Sequence, residues 1–187
     1  MLIDDFLPAF DVSARHSLEI AAPIECAYAA VRRVDLGKSR VTRLLLTLRG
    51  LPRLFQAGGR AERDTMTLDD IVRGGFVLLG EQAPKEILLG VVGKFWTPTG
   101  GVQRLNPDGF RTFTQAGFAK AAWNFSLEPL GSNVTRLATE TRVLCLDAGS
   151  RRRFRLYWFF VGLFSGWTRR EALRLVKEEA ERLSTPA

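Results

Sequence analysis

The chain has 187 residues, 46% of them hydrophobic and 25% charged, a balance that excludes a disordered chain and a fibrous repeat. The length suits one domain, large enough to bury a core without disulfides or metals. With 27 Lys and Arg against 20 Asp and Glu, the net charge is +7, and the basic surface is open to anionic partners.

The opening "MLIDDFLPAF" is acidic and lacks the basic-then-apolar order of a signal peptide. Cys26 and Cys145 lie in apolar stretches with no histidines nearby. They read as buried free thiols rather than metal ligands, and together these features predict a reducing, cytoplasmic setting. In "DVSARHSLEI", Leu18 and Ile20 alternate with Ser17 and Glu19, the period of a strand. Pro23 then opens "PIECAYAAVRRV", where Ile24, Ala27, Tyr28 and Val31 recur at helical spacing. A second helix is predicted over "SRVTRLLLTLRGLPRLF", capped by Ser39 and stopped at Gly50-Leu51-Pro52, with "QAGGRAERD" as a loop.

From Asp69 the pattern turns to strands. "DDIVRGGFVLLGEQ" and "KEILLGVVGKFW" read as two apolar strands joined at Ala83-Pro84. "GFRTFTQ" reads as a short strand after the turn "LNPDG". In "KAAWNFSLEPL", Ala121, Trp123, Phe125 and Leu127 share a face. "NVTRLATETRVLCL" pairs with it across a turn at Gly131. There Leu137, Thr139, Thr141 and Val143 share one face, Glu140 and Arg142 the other. A meander of five or six strands implies an antiparallel sheet with one apolar face, which a long helix must bury.

That helix is predicted from Ser150 to Leu183, about 51 Å long, with Asp147 or Ser150 as cap. Its second half carries a stripe of Leu173, Val176, Ala180 and Leu183. Its first half, "RRRFRLYWFFVGLFSGWTRR", has bulky apolar residues in every direction. The 12 uncharged residues from Leu156 to Trp167 are too few for a membrane span, which needs about 20. Such a segment needs cover all round, from the fold itself, a dimer partner or lipid headgroups, with its arginines facing solvent.

The element order, with "VLLGEQAPKEILLGVVGKFW", "AAWNFSLEPLGSNVTRLATETRV" and "SRRRFRLYWFFVGLFSGWTRREALRLVKEEAE", resembles the START/Bet v1-like (SRPBCC) superfamily over about residues 10–183. Its bacterial members include polyketide cyclase/dehydrase and lipid-transport proteins. The resemblance implies an α+β helix-grip fold: a curved antiparallel sheet wrapped around a long C-terminal helix, with two short helices after the first strand. It also implies an elongated cavity for an apolar or amphipathic ligand. The family has no universal catalytic motif, so no catalytic residue is carried over.

The residues themselves offer little acid–base or nucleophilic chemistry. His16 is the only histidine and reads as structural; no G-x-S-x-G elbow appears, and "GGVQRLNPDG" lacks the lysine of a phosphate loop. Glu81, at the end of an apolar strand, or another buried polar group is the candidate for cyclase or dehydratase chemistry. Asn124 sits between Trp123 and Phe125, and Glu140 and Arg142 read as cross-strand partners on the outer face. Candidate ligand-lining residues are Trp123, Phe125 and Leu127 on one strand and Leu137, Thr139 and Thr141 on the next. On the long helix they are Tyr157, Trp158, Val161, Phe164 and Trp167, with Tyr157 and Thr139 supplying polar groups. The expected partner is a small hydrophobic ligand, with no cofactor and no metal. The same helix suits a homodimer contact or peripheral contact with an anionic membrane. No nucleic-acid motif accompanies its arginines, so nucleic acid is not the expected partner.

Overall fold

The computed structural model describes residues 1–38 and 66–185, apart from the side chains of 38 and 163–165. The helix expected at 39–55 and the loop at 56–64 lie outside the described residues. Helix α1 (Leu2–Phe6) precedes strand β1 (Val12–Ile20) and helix α2 (Ile24–Arg33). Helix α3 (Leu68–Arg73), strands β2 (Val77–Gln82) and β3 (Glu86–Gly93) and helix α4 (Pro107–Thr112) follow. Strands β4 (Ala119–Gly131) and β5 (Val134–Cys145) lead into helix α5 (Ala148–Ser184). The curved sheet is antiparallel throughout, in the order β1-β5-β4-β3-β2, and α5 packs against it in a helix-grip arrangement.

Four strands form the meander, and β1 returns to pair with β5. Two segments read as strand from sequence begin as helix. At the first, Thr67 and Asp70 form a reciprocal capping box that starts α3, so the strand begins only at Val77. Gly75 makes the bend between them at φ +111°, where a Cβ would also stand 2.8 Å from Val102 Cγ1. At the second, "GFRTFTQ" is largely α4. Asn106 caps it by accepting from Gly109 N at 2.7 Å, and Pro107 occupies the first turn.

The larger correction concerns the sheet faces. Pairing places Trp123 opposite Thr141, Phe125 opposite Thr139 and Leu127 opposite Leu137, on the front face with Leu18 and Ile20. There Ala27, Ala30 and Val31 of α2 and Ala172, Leu173, Val176 and Ala180 of α5 close over Ile87, Phe125, Leu127 and Leu137. The back face was expected to meet solvent. Instead Ile3 of α1, Leu7 at its C-terminal cap and Phe110 from α4 pack on Leu79, Leu88, Val92, Phe118 and Ala122. Every residue of β3 is therefore buried, which explains why "ILLGVVG" after Glu86 is apolar without alternation.

Glu140 and Arg142 share the back face as expected, but they lie under α1, not in solvent. Arg142 Nε donates to Glu140 Oε1 at 2.6 Å, and Ser13 Oγ donates to the same oxygen at 3.1 Å. The Arg142 guanidinium also reaches Asp4 at 2.8 Å and the Leu7 carbonyl at 3.2 Å. Asn124 bridges the next pair: its Nδ2 donates to Glu86 Oε1 at 2.7 Å, and its Oδ1 accepts from Glu140 N at 2.9 Å. Glu86 in turn accepts from Leu2 N at 2.8 Å. A five-residue helix has little stability alone; these bonds latch it to the sheet.

Asp147 caps α5. Its carboxylate accepts from Ser150 Oγ, from Gly117 N at 2.6 Å and from Ser150 N at 2.9 Å, which together hold its pKa down at about 2. A depressed carboxylate stabilises the fold above its ordinary value of 3.8 and loses that contribution as pH falls towards 2. Asp147→Ala is expected to lower the melting temperature at pH 7. It should also flatten the fall in stability between these two pH values, as read by thermal melts across the acid range.

Both cysteines are free thiols, Cys26 half-buried and Cys145 buried beside Phe154. Burial, reinforced by Asp11, pushes the Cys145 thiol up to about 12, so it stays protonated and unreactive at neutral pH. In the folded protein a disulfide-exchange reagent should label Cys26 alone, with Cys145 labelled only on unfolding. Mass spectrometry after quenching reads the two sites separately.

Candidate functional site

The front face carries two packed clusters, not one. The larger lies beneath α2 and the C-terminal half of α5; the smaller gathers Ala119, Val143, Cys145 and Phe154 at the start of α5. Between them runs a half-buried band. From the sheet it has Ala14 and His16 of β1, Thr141 of β5 and Ala121 and Trp123 of β4. From α5 it has Tyr157, Trp158, Val161 and the buried Arg169.

The band is polar at its centre and aromatic at its sides. Trp123 Nε1 donates to Thr139 Oγ1 at 2.7 Å, and Thr139 Oγ1 donates to the Asn124 carbonyl at 2.7 Å. The indole is thus fixed, with its ring centroid 5.0 Å from that of Phe125. Arg169 Nε donates to Thr141 Oγ1 at 3.2 Å, and its guanidinium stands 5.8 Å from the Trp158 ring. Trp158 and Tyr157 both lean on Phe154, at 5.6 and 5.9 Å between centroids. His16 sits opposite Thr139 and faces α5 at Gly166, where a Cβ would be 3.6 Å from its Nε2. Burial, then the charges of Arg169 and Arg170, lower its pKa, so the imidazole is neutral at pH 7.

The expected lining residues fall into four groups. Trp123, Thr141, Tyr157, Trp158 and Val161 border the band. Phe125, Leu127, Leu137 and Thr139 lie deeper, in or against the packed core, and the Thr139 hydroxyl is already engaged. Trp167 points away from the sheet and is 54% exposed. The Phe164 side chain lies outside the described residues. Glu81 is at the front rim, where it accepts from the Tyr28 hydroxyl and from Arg32 at 3.3 Å. Burial, then that hydrogen bond, pushes Tyr28 up to about 12.

Two polar residues of the band escape the sequence reading. His16 continues the alternation of Leu18 and Ile20 back along β1, and that extension finds it. Arg169 was counted with the solvent-facing arginines. It lies three and four residues before Ala172 and Leu173, in phase with the buried stripe, and so is carried inward. Among the described residues no group of His, Cys, Asp and Glu could hold a metal ion, and no helix is long and apolar enough to cross a membrane.

No protein-family model and no curated protein matches the chain. Among solved structures it is similar to TTHA0849 from Thermus thermophilus, at 10% identity over 93% of this chain and 100% of that one, with a TM-score of 0.37. It is similar to the Zhui aromatase/cyclase from Streptomyces sp. R1128, at 14% identity over 91% and 94% of the two chains, with a TM-score of 0.30. It is also similar to the di-domain aromatase/cyclase BexL of the BE-7585A biosynthetic pathway, at 14% identity with a TM-score of 0.36; 94% of this chain aligns, spanning 48% of that one.

Proposed function

We propose that this chain binds a small amphipathic molecule in the band between the sheet and α5, in the manner of a START/Bet v1-like carrier. The observation behind the reading is the split front face. A long helix is clamped at two packed clusters, and the aromatic and polar side chains between them stay half-buried. Apolar walls with a few convergent polar groups are the usual make-up of a small-molecule site. Trp123, Tyr157 and Trp158 would contact the body of the ligand. Arg169, with neutral His16 and Thr141 beside it, would meet an acidic or carbonyl-bearing end.

Native mass spectrometry of the purified protein, followed by organic extraction, tests the proposal. A discrete added mass that extracts as an apolar or amphipathic compound is the expected result. Failure to bind any of a panel of long-chain acids, alcohols and aromatic polyketones would refute it. Arg169→Met separates the roles of the two ends. It should weaken a fluorescent long-chain acid by about 10- to 100-fold, the worth of a charge-assisted hydrogen bond, and leave the matching alcohol within a few-fold.

A second reading, turnover of the bound molecule by a cyclase or dehydratase reaction, is favoured by the neutral imidazole of His16 beside a guanidinium. Its test is product formation that disappears in His16→Ala while ligand affinity is kept.

A further inference from the structure

The outer side of α5 bears four large apolar residues: Leu156 is 66% exposed, Phe159 76%, Phe160 63% and Trp167 54%. At 3.6 residues per turn they fall within an arc of about 100°, facing away from the sheet, along about 17 Å of helix. Among the described residues nothing in the chain itself covers that arc, which leaves it to a dimer partner or lipid headgroups. The residues around it are cationic. From Ala148 to Arg170 the helix has no acidic residue. Arg152 and Arg170 share the arc at its two ends, and Arg153 and Arg155 border it. All four are exposed, and none has an ion-pair partner among the described residues; the neighbouring Arg151 pairs with Asp11 at 2.6 Å.

We infer that this face of α5 docks on an anionic phospholipid bilayer, lying in the plane of the interface. Exposed Phe, Leu and Trp on one side of a helix with arginines at both ends match what such a surface takes: rings and aliphatic groups below the headgroups, guanidinium groups among the phosphates. Charge argues against a second copy of the chain. Two such faces brought together would set arginine ends against arginine ends, with no carboxylate on either helix segment to offset them. The inference does not depend on the ligand reading, since the arc and the band lie on opposite sides of α5.

The test is co-sedimentation of the full chain with vesicles of phosphatidylcholine alone and of an equimolar mixture with phosphatidylglycerol. Binding is expected to the mixed vesicles only, and to weaken steeply as salt is raised. Phe159→Ser with Phe160→Ser should cut it at least tenfold without lowering the melting temperature, since both side chains are exposed. Arg152→Gln with Arg153→Gln should weaken it and flatten the salt dependence. Three outcomes would overturn the inference: no binding at low salt; binding indifferent to the phenylalanine pair; or a dimer in solution that the phenylalanine pair dissociates, which would assign the face to a second copy. An acidic protein that occupies the face while vesicles do not would overturn it equally.

Discussion

Glu140→Ala is expected to destabilise the protein by about 3–5 kcal/mol, the cost of breaking a buried ion pair by removing one partner. The side chains of Glu140 and Arg142 are 9% and 11% exposed, so little solvent can replace the lost partner. Asp4 and the Leu7 carbonyl still hold Arg142, but both belong to the α1 segment, which the same network fixes. The loss should therefore appear locally as well as globally: amide exchange in α1 should accelerate before the sheet melts. The double variant Glu140→Leu with Arg142→Met, which removes both charges and keeps apolar volume, should be less damaging than Glu140→Ala alone. Denaturant titration of the three proteins decides the matter. A loss below about 1 kcal/mol for Glu140→Ala would show that the pair is solvated.

Phe125→Ala should cost about 3–5 kcal/mol through the cavity it opens in the front core. Phe125 is 1% exposed, set between Ile87 and Thr139 on the neighbouring strands and against the Trp123 ring. Removing its ring also loosens the indole that borders the band, so a weaker ligand should accompany the lower stability. Phe125→Leu, which keeps most of the volume, should lose clearly less of both. Trp123→Ala gives the reverse signature, a smaller stability loss with a larger binding loss, because its side chain is only half-buried. Parallel denaturation and binding curves for these variants would separate core from site.

Alternation made much of this fold legible. On β4 and β5 it assigned Trp123, Phe125, Leu127, Leu137, Thr139 and Thr141 to one face, and the strand register agrees. The stripe Leu173, Val176 and Ala180 likewise marked the buried side of α5. What was hidden has a common cause: short elements whose stability is tertiary. Helix α1 has five residues, two of them acidic, and no side-chain cap, so nothing local announces it. Helix α4 was announced by Asn106-Pro107, but that pair also begins turns, and the Phe-rich stretch after it favours strand. The doubly covered sheet follows from these two misses. The continuous apolar run of β3 pointed to it, yet an apolar run alone does not say what lies on either side. In the candidate site, His16 reads from sequence as a lone structural histidine and Arg169 as one of the solvent-facing arginines. Only their phase with apolar neighbours betrays them.

The sheet covered on both sides has a consequence for how this chain can vary. Its back, closed by α1 and α4 and cross-linked by a buried ion pair and amide contacts, is a foundation that any large substitution damages. The strands it anchors are held whatever happens at the middle of the front. Side chains along the band can therefore be exchanged for others of different shape and polarity at small cost to folding. Selection on what the molecule holds is then largely uncoupled from selection on whether it stands.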